Sequence, residues 1–237
     1  MSTPVSAHWS VGLEEGEDGA VRAHALSLLG CEEIGADPEK ALDLFSAALQ
    51  RRLRDLRRLG RAVPGPEEEL RITVDEWVRS DARVAAGQSV ACFDRDRQPL
   101  LDAERLAGVQ LLGDLRGRLL PHIRRAPNAE LEAIGSPEAN VRVILDELAQ
   151  AHWWTLTRLG ASPLAEIPDR VVARLDTSMA LVVQHMTHPR PEMRHRVVVI
   201  DGEEWTPRKV LRRLLWLEWS LGGAALHYLL RGERVSR

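Results

Sequence analysis

One glutamate in a helical segment is the residue of this chain whose type and surroundings most suggest chemistry. Glu147 shares a helical spacing with Ile144 and Trp154, which predicts a carboxylate that is partly buried. A buried carboxylate must pair with a donor or stay protonated. We therefore expect either an ion pair at the edge of the core, with Arg212 or Arg213 as the partner, or a pocket acid that binds a ligand.

Histidines are the second group that could carry chemistry. His185 and His188 lie at the predicted end of a later helix, and His195 follows two prolines further on. This spacing matches no common zinc module, and a cation at a helix C-terminus is ordinary stabilisation. His152 follows Glu147 by five residues, so it points elsewhere, and we interpret it as a core or rim histidine. We assign no catalytic residue, no metal ligand and no cofactor from these patterns.

Length, net charge and hydrophobic content indicate the class of protein to which this chain belongs. The chain has 237 residues, a net charge of −3 and 44% hydrophobic residues, values typical of a globular protein. No apolar run reaches the roughly 18 residues of a membrane span, and no signal peptide is visible, so we expect a cytoplasmic protein. The two cysteines, Cys31 and Cys92, are far apart and form no C-x-x-C pair, which indicates free thiols.

A run of arginines between residues 51 and 61 could bind RNA or another anion. The alternative is favourable placement at a helix C-terminus, with pairing to Asp55 and to the acidic residues 67–69. We favour the alternative, because no aromatic side chain is interleaved for base stacking and the net charge is negative. Nucleic acid is therefore not an expected partner.

The first 78 residues predict a small α+β domain with the order β-β-α-β. Alternating apolar residues mark strands at residues 7–13 and 21–25, joined by a Gly-rich turn. Asp37 and Pro38 begin a helix that Gly60 ends, and a third strand spans residues 70–74.

This segment resembles the HicB-like domain, an antitoxin-type fold. The resemblance rests on Leu29-Gly30-Cys31 after the second strand, on residues 35–42 at the start of the helix, and on Gly60 and residues 63–66 after it. It implies that the domain binds a small toxin-like protein. No DNA-binding segment of the kind that often accompanies such antitoxins follows it.

Residues 79–98 predict a linker, and residues 99–237 predict an antiparallel four-helix bundle. Apolar residues at helical spacing mark helices around residues 112–123, from Pro137 and Glu138 to Gly160, from Pro168 to Met186, and from Pro207 to about Arg231. The last helix has its apolar seam at Val210, Leu214, Leu217, Leu221, Ala224 and Tyr228. The predicted fold class is therefore α+β and mainly α.

This second domain resembles the DinB-like bundle family. The resemblance rests on residues 145–160, with their Trp-Trp pair, on residues 202–213, and on the order of the four helices. In that family two histidines on the last helix and one on the second helix bind a divalent metal. Here Leu217, Leu221 and Glu147 take those positions, so the resemblance implies a degenerate metal site.

Three functions follow as alternatives. The first, which we favour, is a non-catalytic binding or scaffold protein that self-associates and whose bundle cavity could hold a small apolar ligand. The second is a divergent metal- or thiol-dependent transferase or hydrolase that uses Glu147 with other groups, such as the histidines near residue 185. The third is an antitoxin-like protein that binds a small protein through its first domain. The sequence does not identify the ligand or the oligomeric state.

Overall fold

The computed structural model describes residues 6–27, 30–126, 131–132, 134–136, 139–162, 166–187 and 196–235. Contacts within the chain divide it into two compact units. The first comprises residues 1–98 with 201–204, and the second comprises residues 99–200 with 205–237. The chain is an α+β protein in which helix is the dominant secondary structure, with a small mixed sheet near its beginning followed by helices. No helix in the described part of the chain is both long and apolar enough to cross a membrane.

The first unit is a four-stranded mixed sheet with one long helix. Its strands are β1 Ser6–Glu15, β2 Val21–Ala25, β3 Glu32–Gly35 and β4 Glu69–Arg79, in the order β3-β2-β1-β4. The β1–β2 and β2–β3 pairs are antiparallel, whereas β4 runs parallel to β1. Parallel neighbours need a crossover connection, and helix α1, Pro38–Arg58, is part of that crossover.

Helix α1 covers one face of the sheet. Asp37 caps it by accepting a hydrogen bond from the Lys40 backbone N–H at 2.8 Å, and Pro38 occupies its first turn, as the sequence predicts. Its buried face packs with alternate residues of β1 into one apolar core. Members of that core from α1 and β1 are Ala41, Phe45, Ala48, Leu49, Leu53, Trp9, Val11 and Leu13.

Strand β3 is a correction to the predicted β-β-α-β order, because three strands precede the helix. Two adjacent glutamates, Glu32 and Glu33, do not suggest a buried strand. In the structure Glu32 is only 5% exposed, and Arg22 of β2 donates a hydrogen bond to its carboxylate at 3.0 Å. The charge that argues against a strand is therefore neutralised by a neighbouring strand.

Residues 79–98, for which the sequence predicts a linker, belong to the first unit. They form helical turns at Val84–Ala86 and Asp94–Arg97, and Val84 and Phe93 are wholly buried. Phe93 lies against Gly12 of β1, where an added Cβ would come within 2.5 Å of the ring. The second face of the sheet is thus covered by this segment, whose few apolar residues are too widely spaced to show a helical or strand period.

The second unit is helical. Its helices are α2 Asp102–Arg125, α3 Val141–Thr157, α4 Val171–Thr187, α5 Pro207–Leu217 and α6 Gly223–Val235. A π-helical segment, Glu218–Gly222, joins α5 to α6. In this unit β5 Gly135–Ser136 pairs with β6 Ala139–Asn140. The two remaining strands of the described chain are β7 Val198–Ile200 and β8 Glu203–Trp205. Leu119, Leu145, Leu148, Leu175, Leu217 and Leu229 are among the residues of the shared core.

Two helix predictions change in the structure. Helix α3 begins at Val141, where the Asn140 side chain accepts the Val143 N–H at 3.0 Å; Pro137 and Glu138, the predicted start, lie outside the described residues. The last predicted helix is two α-helices with π-helical geometry between them. The described residues of this unit form five α-helical segments, so the predicted count of four helices is not confirmed.

Candidate functional site

Three buried polar side chains meet inside the helical unit. Arg116 of α2 is 2% exposed, His152 of α3 is 0% exposed, and Glu218, the first residue of the π-helical segment, is 2% exposed. We call these three residues the helix cluster. Ionisable side chains are rarely buried so deeply unless they are paired, so their contacts determine what the cluster can do.

The apolar spacing of each helix explains why these residues are buried. On α3 the fully buried residues Leu145, Leu148, His152 and Leu156 recur at steps of three or four residues. His152 therefore lies on the centre of the core face. Arg116 shares the core face of α2 with buried Leu112, Leu115, Leu119 and Ile123.

Glu218 is buried because it lies one helical turn after the buried residues Leu214 and Leu215, on the same face of the helix. A π-turn inserts one extra residue, so every later residue on the buried face moves by one position. The predicted seam after Leu217 is Leu221, Ala224 and Tyr228, and all three are only half-buried. The buried residues are instead Gly222, Ala225 and Leu229. The sequence interpretation of Glu218 as a solvated neighbour of the seam is thereby corrected.

Arg116 and Glu218 form a closely paired ion pair. The Arg116 Nε donates to Glu218 Oε1 at 2.9 Å, and a second guanidinium nitrogen, Nη2, donates to the same oxygen. The remaining nitrogen, Nη1, donates to the Leu175 carbonyl of α4 at 3.0 Å. A guanidinium that binds a carboxylate with two N–H groups makes a strong charge-assisted contact. Arg116 thus joins three helical segments around one carboxylate.

His152 lies beside this pair. Its Nε2 is 3.6 Å from Glu218 Oε1, longer than a hydrogen bond. Within the described residues, neither ring nitrogen of His152 has a partner with full hydrogen-bond geometry. The same is true of Glu218 Oε2. Burial, together with the charge of Arg116, lowers the pKa of His152 well below its usual value, against a smaller opposing effect of the Leu214 backbone. The imidazole is therefore neutral at physiological pH.

Burial raises the pKa of Glu218, and the charge and hydrogen bonds of Arg116 oppose that rise. The paired guanidinium and carboxylate cancel each other's charge, and the imidazole adds none.

The helix cluster does not fit a divalent metal. A site of the type implied by the DinB-like resemblance needs three donors and an open position. Here one imidazole and one carboxylate are available, and a guanidinium already lies against the carboxylate. No three His, Cys, Asp or Glu side chains are placed to hold a metal ion anywhere in the described residues. His185 is half-buried at the end of α4, and His188 and His195 lie outside the described residues.

The predicted site residues Glu147, Leu217 and Leu221 differ in how deeply they are buried. Glu147 is exposed, so the expectation of partial burial is wrong. The core face of α3 runs through Leu148 and His152, which turns Glu147 away from it. Leu217 is buried in the core, and Leu221 is half-buried against it. Sequence reasoning missed Arg116; the Leu-rich spacing around it on α2 was the available signal.

A second buried polar group lies in the first unit. Glu14 of β1, Arg22 and His24 of β2, and Glu32 of β3 are each 5% exposed or less. We call these four residues the sheet cluster. His24 lies between the two carboxylates, with Nε2 3.3 Å from Glu14 and Nδ1 3.4 Å from Glu32. The cluster therefore places an imidazole between two carboxylates inside the sheet, with Arg22 on one of them.

Glu14 also holds the segment after β4. Its carboxylate accepts hydrogen bonds from Ser89 Oγ at 2.6 Å and from the backbone N–H groups of Val90 at 2.8 Å and Ala91 at 3.0 Å. Burial by itself would raise the pKa of Glu14, but the hydrogen bond and electrostatic effect of His24, with the hydrogen bonds of Ser89 and Val90, outweigh burial and lower it to about 2. The geometry is that of a structural anchor, since the carboxylate is closed to solvent.

The two cysteines and the arginine run are the remaining groups that the sequence marks as candidates for chemistry. In the structure their contacts are of a structural kind. Cys31 and Cys92 are both buried, and burial raises the pKa of Cys31 to about 12, which suppresses the reactive thiolate. In the arginine run, Arg51 pairs with Glu33 at 3.3 Å and Arg58 pairs with Asp55 at 3.3 Å.

Comparison with known proteins returned no match to this chain among protein-family models, curated proteins or solved structures. The HicB-like and DinB-like resemblances accordingly remain predictions from sequence. The contacts described above are the observations from which the function can be inferred.

Proposed function

We propose that this chain is a non-catalytic binding or scaffold protein, and that its helical unit is an antiparallel four-helix bundle of the DinB-like kind in which the Arg116–Glu218 ion pair replaces a metal centre. In this proposal α5, the π-helical segment and α6 together form the fourth helix of the bundle. Helices α2, α3 and α4 form the other three.

The observation that carries the proposal is the placement of the Arg116 guanidinium on Glu218. A metal ion between bundle helices supplies positive charge that offsets inward-facing ligands. Arg116 supplies one positive charge at a fixed position, and it is held there by the Leu175 carbonyl of a further helix. A second cation at the same place would be repelled by the guanidinium and would find only one carboxylate and one imidazole.

The inaccessibility of the helix cluster supports a structural rather than a catalytic role for its three residues. All three residues are 2% exposed or less, so a substrate could not reach them without opening the bundle. A neutral imidazole beside a neutralised carboxylate is also a poor acid–base pair, because the guanidinium already uses the carboxylate oxygen nearest the ring.

The test is metal content and metal-induced stabilisation of the purified, untagged chain. We expect substoichiometric Zn²⁺, Ni²⁺ and Mn²⁺ by mass spectrometry, and no rise in Tm when each ion is added. A ligand that binds only the native state at a hundredfold excess over Kd would stabilise it by about 2.7 kcal/mol, which a thermal scan detects readily.

The matched control for the metal test is His152→Gln, which removes the one imidazole of the cluster. A stoichiometric metal, or a Tm rise that disappears in His152→Gln, would overturn the proposal and favour the enzyme alternative. A Tm rise that persists in the variant would point to ions bound elsewhere on the chain.

A further inference from the structure

Strand β4 is an edge of the four-stranded sheet and is eleven residues long. Among the strands of the described chain, only β1 pairs with it, so no strand there pairs with its outer side. A long exposed edge is a template for another strand, and proteins usually cover it or block it. Strand β4 contains neither proline nor lysine, two residues that often block an edge.

Two apolar side chains of β4 lie uncovered on the face of the sheet that packs against α1. Val74 pairs with Val11 and Trp77 pairs with Leu13, and both of these β1 residues belong to the core that α1 covers. Val74 is nonetheless 38% exposed and Trp77 is 52% exposed. The core therefore stops short of the edge, and a neighbouring strand would bury the apolar surface of both side chains.

A β-bulge determines which side chains of β4 share a face. Val74 pairs with Val11 and Glu76 pairs with Gly12, so Asp75 is an extra residue between two paired ones. The alternation of side chains therefore changes phase at Asp75. Leu70, Ile72, Val74 and Trp77 lie on the α1 face, whereas Glu69, Arg71, Thr73, Glu76 and Val78 lie on the opposite face.

Strand β4 is complementary to a second copy of itself that runs antiparallel beside it. A two-fold axis at Thr73 places each bulge opposite Ile72 of the other copy, and side chains then meet partners on the same face. Ile72 faces Val74 of the second copy, and Leu70 faces Trp77. Both contacts are apolar, and the symmetry repeats each of them.

The charges of β4 select this register. With the axis at Thr73, Arg71 faces Glu76 of the second copy, which is a favourable cross-strand pair. An axis at Ile72 would place Glu69 opposite Glu76, and an axis at Val74 would remove the Arg71–Glu76 pair. In the single chain Arg71 pairs with Glu69, but both side chains are 56% exposed and such a pair contributes little.

We propose that two copies of this chain pair antiparallel through β4, with the two-fold axis at Thr73, and join their sheets into one sheet of eight strands. The partner is a second copy because one strand supplies both members of each apolar and charged pair. The proposal goes beyond the function given above, since it assigns a partner to the first unit and uses no residue of the helix cluster.

Sedimentation velocity on the full chain, from micromolar to millimolar concentration, tests the association. We expect a monomer–dimer equilibrium that shifts to dimer as the concentration rises. Arg71→Glu should raise the dimer Kd by about 4-fold or more, because two attractive cross-strand pairs become repulsive. Arg54→Glu, at an exposed position of α1, changes the net charge equally and should leave the Kd unchanged.

A disulfide tests the register. Residues directly opposite each other in an antiparallel pair have Cα atoms about 4.5–5.5 Å apart, a separation that a disulfide spans. Thr73→Cys should therefore form a covalent dimer on mild oxidation. Glu69→Cys, exposed on the same face of β4, is the matched control. Its two copies would lie roughly 25 Å apart at about 3.3 Å per residue, so it should not cross-link.

Three outcomes would overturn the proposal. They are a chain that stays monomeric up to millimolar concentration, equal cross-linking of Thr73→Cys and Glu69→Cys, and equal effects of Arg71→Glu and Arg54→Glu on the Kd. Circular dichroism establishes that each variant is folded, and sedimentation of the unmodified chain decides if one is not. A stoichiometric metal would refute the proposed function alone, and a monomeric chain would refute this inference alone.

Discussion

Arg116 Nε lies 2.9 Å from Glu218 Oε1, although the two residues are 102 positions apart in the chain. Both side chains are nearly inaccessible, so water contributes little to their solvation. A buried ion pair gains attraction but loses hydration, and the two effects can nearly cancel. Removing one partner of such a pair lowers the free energy of unfolding far more than replacing both partners does.

A double-mutant cycle on this pair gives the first prediction. Arg116→Met or Glu218→Met alone should lower the free energy of unfolding by about 3–5 kcal/mol, because each leaves a buried charge without its partner. The double variant should be much less destabilised than the sum of the two. Urea denaturation of the four proteins measures the coupling. Additive losses would show that the ion pair does not stabilise the helical unit.

The second prediction concerns pH and His152. Its pKa is lowered in the folded state, so below about pH 6.5 the unfolded chain takes up a proton that the folded chain does not. The contribution of His152 to the free energy of unfolding is therefore present above that pH and is lost as the pH falls below it. His152→Leu, which continues the Leu-rich seam of α3, should remove that part of the slope.

The measurement for His152 is the free energy of unfolding at about pH 7.5 and about pH 5.5, in the range where free histidine titrates. His227→Gln, at an exposed position in the same unit, is the matched control and should keep the wild-type slope. An unchanged slope in His152→Leu would mean that another group causes the pH dependence.

The third prediction uses the two glycines at the end of the π-helical segment. A Cβ on Gly222 would lie 3.1 Å from Glu218 Oε2, whereas a Cβ on Gly223 would meet nothing within 4 Å. Gly223→Ala should stabilise the helix by up to about 1 kcal/mol through helix propensity. Gly222→Ala should give no such gain, because the new methyl group crowds the carboxylate. Equal gains in Tm would argue against the described position of Glu218.

The fourth prediction tests Glu14 as an anchor. Glu14→Gln removes the charge that accepts the Val90 and Ala91 N–H groups, so those amides should exchange with deuterium faster. Glu15→Gln, the neighbour that pairs with exposed Arg79, should leave them protected. Unaltered protection in Glu14→Gln would show that other contacts hold the segment.

Acid stability provides a second measurement on Glu14. The pKa falls from 4.5 to about 2 on folding, so the stabilisation is full above pH 4.5 and is lost between pH 4.5 and about 2. The shift corresponds to roughly 3 kcal/mol. Glu14→Gln should therefore be less stable than wild type near neutral pH, and the difference should shrink as the pH approaches 2.

Local chemistry in the sequence was sufficient for most helices and for three of the strands, β1, β2 and β4. Asp37 with Pro38, and Thr206 with Pro207, begin helices where their side chains and fixed backbone predict, and the alternation of β1 and β2 is that of real strands. These features depend on neighbours within a few residues. A four-residue strand with two glutamates, or a segment with scattered apolar residues, could not be predicted because its stabilising partners are distant in sequence.

The residues of the helix cluster and Glu147 show most clearly the difference between what near neighbours in sequence predict and what distant partners decide. The sequence alone determined an α+β chain with an apolar seam along its last helical segment. Only the tertiary structure decided that a π-turn at Glu218 moves the seam by one residue, that Glu147 faces solvent, and that Arg116 and His152 meet Glu218 in the core. A helical repeat specifies a face to within one residue, and which residue is buried depends on what the neighbouring helices bring to it.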